Sequence, residues 1–167
     1  QHYNYESIAI TDSANLFGFL KFYKSVRSKG IKPIAGAEIN HVRDSSSHNE
    51  HANLTLIAKN QIGYKNLIKL ISKSQIVGKT SGIPVIETEW LAEHSDGLIA
   101  LSGGFRGHIG KAVLDTNHDL FLKRIKYFQK IFEEDFILEI SRINRPQEEL
   151  YNDYILSKAG ELGLPVV

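Results

Sequence analysis

Apolar and polar positions follow two different periods along this chain. Ile8, Ala9 and Ile10 form a short apolar run that ends in Thr11-Asp12-Ser13, residue types that cap helices. Leu16, Phe19, Leu20, Tyr23 and Val26 then recur at spacings of three and four, with Lys21, Lys24, Arg27 and Lys29 on the other side and Gly30 after them. That pattern predicts an amphipathic helix over about 14–29. Residues 32–39 carry Pro33 near their start and read as a strand, so 8–39 predicts a β-α-β unit.

Residues 43–51 contain no apolar side chain and predict a solvated loop; the serine triplet 45–47 within it is the one hint of low complexity. Leu54 to Ala58 is strand-like, and Asn60 can cap a helix in which Tyr64, Leu67, Ile68 and Ile71 share a face. A turn-rich connector over 78–84 precedes a short strand at Val85-Ile86, and Thr88 can cap a short helix through Trp90, Leu91 and His94. Gly97 to Ser102 predicts a buried strand, Ile109, Val113 and Leu114 a short helix, and Phe121, Ile125, Phe128 and Phe132 a longer one. Phe136 to Ile140 predicts a strand. Pro146 at the first helical position opens a helix with Leu150, Tyr154, Ile155 and Leu162, stopped by Gly163, and Val166-Val167 begins a further strand. Strands alternating with helices predict an α/β domain with a largely parallel sheet, with no internal repeat and no domain linker.

Composition narrows the class. Of 167 residues, 42% are hydrophobic and 23% charged, which excludes disordered, collagen-like and coiled-coil classes and predicts a single domain over 1–167. Twenty Lys and Arg face nineteen Asp and Glu, so electrostatic attraction to a polyanion cannot be the whole basis of function. No apolar run approaches the roughly 20 residues of a membrane span, and 1–7 lacks the pattern of a signal peptide; a soluble, cytoplasmic chain with no membrane partner is expected. The absence of cysteine excludes disulfides, thiolate metal sites and a cysteine nucleophile. The absence of methionine, with a chain opening at Gln1 and stopping at Val167, reads as an excerpt of something longer.

In parallel α/β folds, sites gather at the carboxyl ends of strands. The residues expected there are 11–15, 38–41, Lys59-Asn60, 102–106 and Ser141-Arg142. Asp12 and Glu38 close neighbouring strands and could stand side by side, a pair suited to a hard divalent cation or to acid–base work. The plainer alternative makes Asp12 a helix cap and Glu38 a solvated or ion-paired acid. The Gly103-Gly104-Phe105-Arg106-Gly107 segment lacks the lysine of a phosphate loop and reads better as a tight strand-to-helix turn. His41, His48 and His51, with Asp44 and Glu50, surround the polar loop and carry metal-type chemistry without a fixed geometry, which favours a surface loop. His94 and His108 read as structural, while His2 and His118 carry no signal. No Gly-x-Ser-x-Gly elbow is present. The stripe Lys21, Lys24, Arg27, Lys29 and Lys32 is the best candidate for nucleic-acid contact, followed by Lys123, Arg124, Lys126 and Lys130; near-neutral charge favours the outer face of a helix for both.

Several segments together resemble a known family. Residues 8–18, with Thr11-Asp12-Ser13-Ala14-Asn15-Leu16-Phe17-Gly18, then Phe22-Tyr23-Lys24 and Gly30-Ile31-Lys32-Pro33-Ile34-Ala35-Gly36-Ala37-Glu38, are similar to the opening of the polymerase and histidinol phosphatase (PHP) domain of bacterial replicative DNA polymerase III alpha subunits, the proteobacterial form above all. The resemblance continues in order through 54–60, 63–67, 71–73, 97–104 and 163–167, and so covers nearly the whole chain.

This resemblance implies a distorted (β/α) barrel, incomplete at both ends in this excerpt, which would lack the first strand motif and the last metal-motif strand. Members that keep the site hold zinc, manganese or iron and hydrolyse phosphoesters, including as a 3′ to 5′ exonuclease. Asp12 and Glu38 match acidic ligands. Ser13 stands where the family has the histidine of Thr-Asp-His, Asn53 where it has a histidine before the strand, and Gly104 where it has the cysteine of Ser-Gly-Cys. His51, two residues from Asn53, is out of register to replace it. The implied reading is a metal-depleted, non-catalytic scaffold with no cofactor of its own, which docks the proofreading exonuclease (epsilon) subunit and braces the remaining polymerase domains. DNA and magnesium then belong to the parent polymerase. An active phosphoesterase holding zinc, manganese or magnesium, and a DNA-binding module using Lys21, Lys24 and Arg27, are the alternatives.

Overall fold

The structure, a computed structural model, describes residues 5–42, 51–80 and 82–167. Strand β1 (Ser7–Ser13) runs parallel to β2 (Lys32–Val42), in register from Ser7 beside Lys32 to Ser13 beside Glu38. Helix α1 (Phe19–Arg27) joins them, as a β-α-β unit requires. It starts later than its apolar pattern suggests because local side chains hold the preceding loop. Asn15 accepts from Phe17 N at 2.9 Å and donates to the Ser13 carbonyl at 2.8 Å, and Ala14 takes a left-handed φ of 52°. Asn and Asp offer the backbone such alternatives to a helix.

Strand β3 (Ala52–Ala58) pairs antiparallel with β2, and β7 (Leu98–Leu101) pairs antiparallel with β3. The expectation of a largely parallel sheet therefore fails at β3. Only nine residues, 43–51, separate β2 from β3, and a parallel crossover needs a dozen or more. Between β3 and β7 lie α2 (Gln61–Ile76), the hairpin β4 (Lys79–Thr80) and β5 (Ile83–Pro84), β6 (Ile86–Glu87) and α3 (Thr88–Glu93). Asn60 caps α2 as expected, accepting from Ile62 N and Gly63 N. Thr88 is the first residue of α3, not its cap; its hydroxyl donates to the Val42 carbonyl at 3.3 Å, beside the short β6 pairing with β2.

A short 3-10 turn (Gly104–Arg106) leads into α4 (His108–Leu114) and α5 (His118–Phe132), followed by β8 (Phe136–Ile137) parallel to β7 and by α6 (Glu148–Leu162). Gly163 ends α6 with φ 65°, and 165–167 hydrogen-bond alongside 138–140. The described sheet thus runs β1-β2-β3-β7-β8 and on to the last residues, a mixed α/β fold with six helices among the described residues.

Alternation along the strands divides the sheet into two unlike faces. One face carries Ala37, Ile39, Leu54, Leu56, Leu98, Ala100, Phe136 and Leu138 into a core closed by α2, α4, α5 and α6. Phe121, Ile125, Phe128 and Phe132 of α5 all lie buried in it, as their spacing predicts. Helix α6 is rotated from its predicted face: Tyr151, Ile155 and Ala159 are buried while Leu150 and Leu162 are exposed. Polar anchors set that rotation. The buried Glu148 carboxylate accepts from the Ser141 hydroxyl at 2.5 Å and from Ile143 N at 2.8 Å, and Asn152 donates to the Ser141 carbonyl at 2.6 Å. No described helix is long and apolar enough to cross a membrane.

Candidate functional site

The other face of the sheet carries apolar side chains such as Ile34, Ile57 and Ile99 toward one end and a polar cluster toward the other, where the register assembles the site. Ser13 lies beside Glu38, Glu38 beside Thr55, and Asn40 beside Asn53. Residues paired in this way share a face, as do residues two apart on one strand, so Ser13, Glu38, Asn40, Asn53 and Thr55 form one patch. Thr55 lies beside Leu101, and Leu101 beside Ile137, which puts Glu139 on the same face one pleat nearer the strand end. The patch occupies the carboxyl ends of β1, β2, β7 and β8 and, because β3 is reversed, the amino end of β3.

Glu139 organises one side of the patch. Its carboxylate accepts from Gly103 N at 3.2 Å and, at the long distance of 3.5 Å, from the Thr55 hydroxyl. Its backbone N donates to the Ser102 hydroxyl oxygen at 2.9 Å, and its carbonyl accepts from the Tyr151 hydroxyl at 2.8 Å. Burial raises the Glu139 carboxyl above the usual glutamate range and the Glu38 charge adds to the rise, against the lowering by Gly103 N–H and Thr55. Glu139 escapes the sequence reading because an acid inside an apolar strand resembles an ordinary outward residue. The available signal is its alternation with Leu138.

The glycine-rich segment is the tight turn its sequence favours. A Cβ on Gly107 would lie 1.8 Å from the Ser102 carbonyl oxygen, and one on Gly103 2.1 Å from that of Asn53. These contacts press the turn against β3 beside the polar patch. A Cβ on Gly104 would meet nothing within 4 Å, although φ there is +57°.

Asp12 and Glu38 do not stand side by side. Asp12 pairs with Ala37 and so projects from the opposite face, where its carboxylate accepts from Gly18 N at 3.0 Å. It serves the approach to α1, close to the capping alternative. Lys59 and Asn60, expected at a strand mouth, lie at the far end because β3 is reversed; Lys59 pairs with Asp135 at 2.8 Å. His41 is buried on the apolar face rather than in a polar loop, with its ring edge-on to His108 at 5.1 Å and near Tyr127 and Phe128. His108 Nε2 donates to the His41 carbonyl at 3.0 Å, a structural role. The His51 carbonyl accepts from Lys111 Nζ, His94 Nδ1 contacts the Trp90 carbonyl, and His118 Nδ1 contacts the Tyr154 hydroxyl. His2, Asp44, His48, Glu50 and the serine triplet lie outside the described residues.

Lys21, Lys24 and Arg27 are exposed along α1, with the Arg27 guanidinium 5.8 Å from the Tyr23 ring centre. In the second basic stripe Arg124 is turned inward and donates to the His108 carbonyl.

The metal donors that the described residues bring to the patch are few. Glu38 and Glu139 are its carboxylates, Ser13 and Asn53 bring a hydroxyl and an amide, and Gly104 brings no side chain. Among the described residues no group of three or more His, Cys, Asp or Glu converges to hold a metal. Hydrolytic metal clusters need enough charged or imidazole ligands to fix the ions and still leave a position for water.

Comparison with known proteins agrees with the segmental resemblance. The PHP domain profile matches residues 1–143. DNA polymerase III subunit alpha of Vibrio cholerae is 42% identical over 161 residues, which is 96% of this chain and 14% of that protein. The subunit of Escherichia coli strain K12 is 40% identical over the same length, and that of Buchnera aphidicola 40% identical over 165 residues, 98% of this chain. The chain therefore spans about 14% of the length of these relatives. With a profile match across most of its length and relatives 40–42% identical over 96% of it, the chain belongs to the PHP domain family.

Proposed function

We propose that this chain is a metal-depleted PHP domain that serves as a scaffold in a replicative DNA polymerase III alpha subunit, docking the proofreading exonuclease (epsilon) subunit and bracing the polymerase core. The observation that carries the reading is the register that sets Ser13 and Asn53 around Glu38. These are two of the positions where the family resemblance implies histidine ligands. A hydroxyl and an amide bind divalent transition metals far more weakly than imidazoles do. In this reading the mixed sheet is part of the distorted (β/α) barrel of the family. The parent chain is a cytoplasmic DNA-directed DNA polymerase that takes its magnesium and its DNA elsewhere. The test is elemental analysis of the purified protein together with a phosphodiesterase assay in added Mn²⁺ or Zn²⁺. Absence of turnover and of stoichiometric metal is expected; robust turnover lost in Glu38→Gln overturns the proposal.

A working phosphoesterase with an unusual ligand set is the second reading, favoured by the Glu38–Glu139 pair. A carboxyl raised by burial beside another carboxylate is a way to keep one group protonated as an acid while its neighbour acts as a base. That reading predicts activity lost equally in Glu38→Gln and Glu139→Gln.

A further inference from the structure

We propose that the groove between the 14–17 loop and α2 docks an acidic amphipathic segment of a partner protein. The groove has a volume of about 480 Å³ and is lined by Leu16, Phe17, Tyr64, Ile68, Ile71 and Ile76. Past Leu16 and Tyr64 it continues into a second groove of about 680 Å³ that runs along α1 over the start of β2. Phe17 is 91% exposed and Ile76 79% exposed, and α1 buries none of its residues. A contiguous apolar surface of this kind marks an interaction site more often than a free surface.

Charge selects the occupant. Net neutrality conceals a strong partition: residues 13–86 hold eleven Lys and Arg against three Asp and Glu, whereas 87–167 hold nine against fourteen. Of those three acids, Asp44 and Glu50 lie outside the described residues and Glu38 belongs to the polar patch. Lys32 lines the second groove, Lys21 and Lys24 are exposed on α1 and Lys65 and Lys69 on α2, the two helices that contribute to the grooves, and no ion pair engages these five among the described residues. An apolar trough flanked by helices that carry exposed lysines is complementary to a helix with leucines at i, i+3, i+4 and i+7 and glutamates on its flanks. A single-stranded nucleic acid would satisfy the lysines and stack on Phe17 and Tyr64, but it would leave Ile68 and Ile76 wet, since aliphatic side chains give bases no stacking surface.

The inference deepens the scaffold reading and rests on it by supplying a docking surface. The probe is a labelled helical peptide of about 18 residues with that leucine and glutamate pattern, titrated against the intact chain. Saturable binding is expected, weakened about tenfold or more by Phe17→Asp, by Ile76→Asp and by paired Lys65→Glu and Lys69→Glu. A version of the peptide with glutamine for every glutamate should also bind about tenfold more weakly at low salt. The exposure of these positions keeps the variants folded, and circular dichroism melts verify it. Equal binding of charged and neutral peptides, or no saturation, overturns the proposal. So does tighter binding of a dT oligonucleotide through the same lysines, or self-association of the chain lost in Phe17→Asp. Peptide binding by a protein that also turns over phosphodiesters would leave the groove standing and sink the metal-depleted reading alone.

Discussion

The carboxylates of Asp12 and Glu38 project from opposite faces of the sheet, because the β1–β2 register sets Ser13, and not Asp12, beside Glu38. Two acids that end adjacent parallel strands need not share a site; a one-residue offset sends one into the polar patch and the other to the helix side. The division gives each acid a separate consequence on substitution.

Asp12→Ala removes the acceptor of Gly18 N–H. Urea denaturation should show a loss of about 0.5–1.5 kcal/mol, the net value of one such hydrogen bond. Isothermal titration with Mn²⁺ should be unchanged in Asp12→Ala, whereas any weak binding should disappear in Glu38→Gln. The reverse pattern would contradict the register.

Restoring the missing donors should rebuild a metal site. Ser13→His and Asn53→His add two imidazoles to the patch that holds Glu38, and Gly104→Cys adds a thiol on the neighbouring turn, where there is open space for a side chain. The triple variant should bind Zn²⁺ or Mn²⁺ near one equivalent by elemental analysis and melt at a higher temperature with the metal than without it. The positive φ at Gly104 should cost the metal-free variant about 1 kcal/mol. Adding Glu38→Gln to the triple variant should abolish retention; a variant as metal-free as its parent would show that these positions do not converge.

What the sequence makes legible follows from what each element packs against. Helix α5 meets a largely apolar sheet face, so the spacing of Phe121, Ile125, Phe128 and Phe132 identifies its buried side correctly. Helix α6 is set by Glu148 and Asn152 reaching back to residues 141–145, and hydrophobic periodicity does not record such contacts. The reversal of β3 is implicit in its short connection to β2, and missing it misplaces Lys59 and Asn60. Ser13, Asn53 and Gly104 are singled out by family resemblance alone, and the register brings Ser13 and Asn53 to one patch while Gly104 lies in the turn after β7. Glu139 is missed because its importance lies in contacts to Gly103 and Thr55, remote in sequence.

The turn that carries Gly104 should tolerate no side chain at Gly107. A Cβ there would lie 1.8 Å from the Ser102 carbonyl oxygen, and backbone must move to admit it. Gly107→Ala should destabilise the protein by about 1–3 kcal/mol, the usual range for overpacking. In NMR spectra the shift should spread to the amide of Gly103, which donates to Glu139. A fully stable Gly107→Ala variant would mean that the turn is looser than described.

Glu139 and Glu148 should give stability opposite dependences on pH. Burial and Glu38 raise Glu139 in the folded chain, so between the usual glutamate value of 4.5 and its raised value the folded state binds more protons than the unfolded one. Stability then falls as pH rises through that window, and the penalty persists above it. Hydrogen bonds from the Ser141 hydroxyl, and then from the 143–145 backbone, hold Glu148 below 4.5. Its contribution is complete above 4.5 and is lost as pH falls through its lowered value. Glu139→Gln should therefore stabilise the protein at pH 7 and leave it little changed at pH 4. Glu148→Gln should destabilise it most at pH 7 and flatten the acid limb of the profile. Thermal melts of both variants and the parent from pH 3 to pH 8 decide the point; a Glu139→Gln variant that loses stability at pH 7 would show that the bonds from Gly103 and Thr55 outweigh burial and the Glu38 charge.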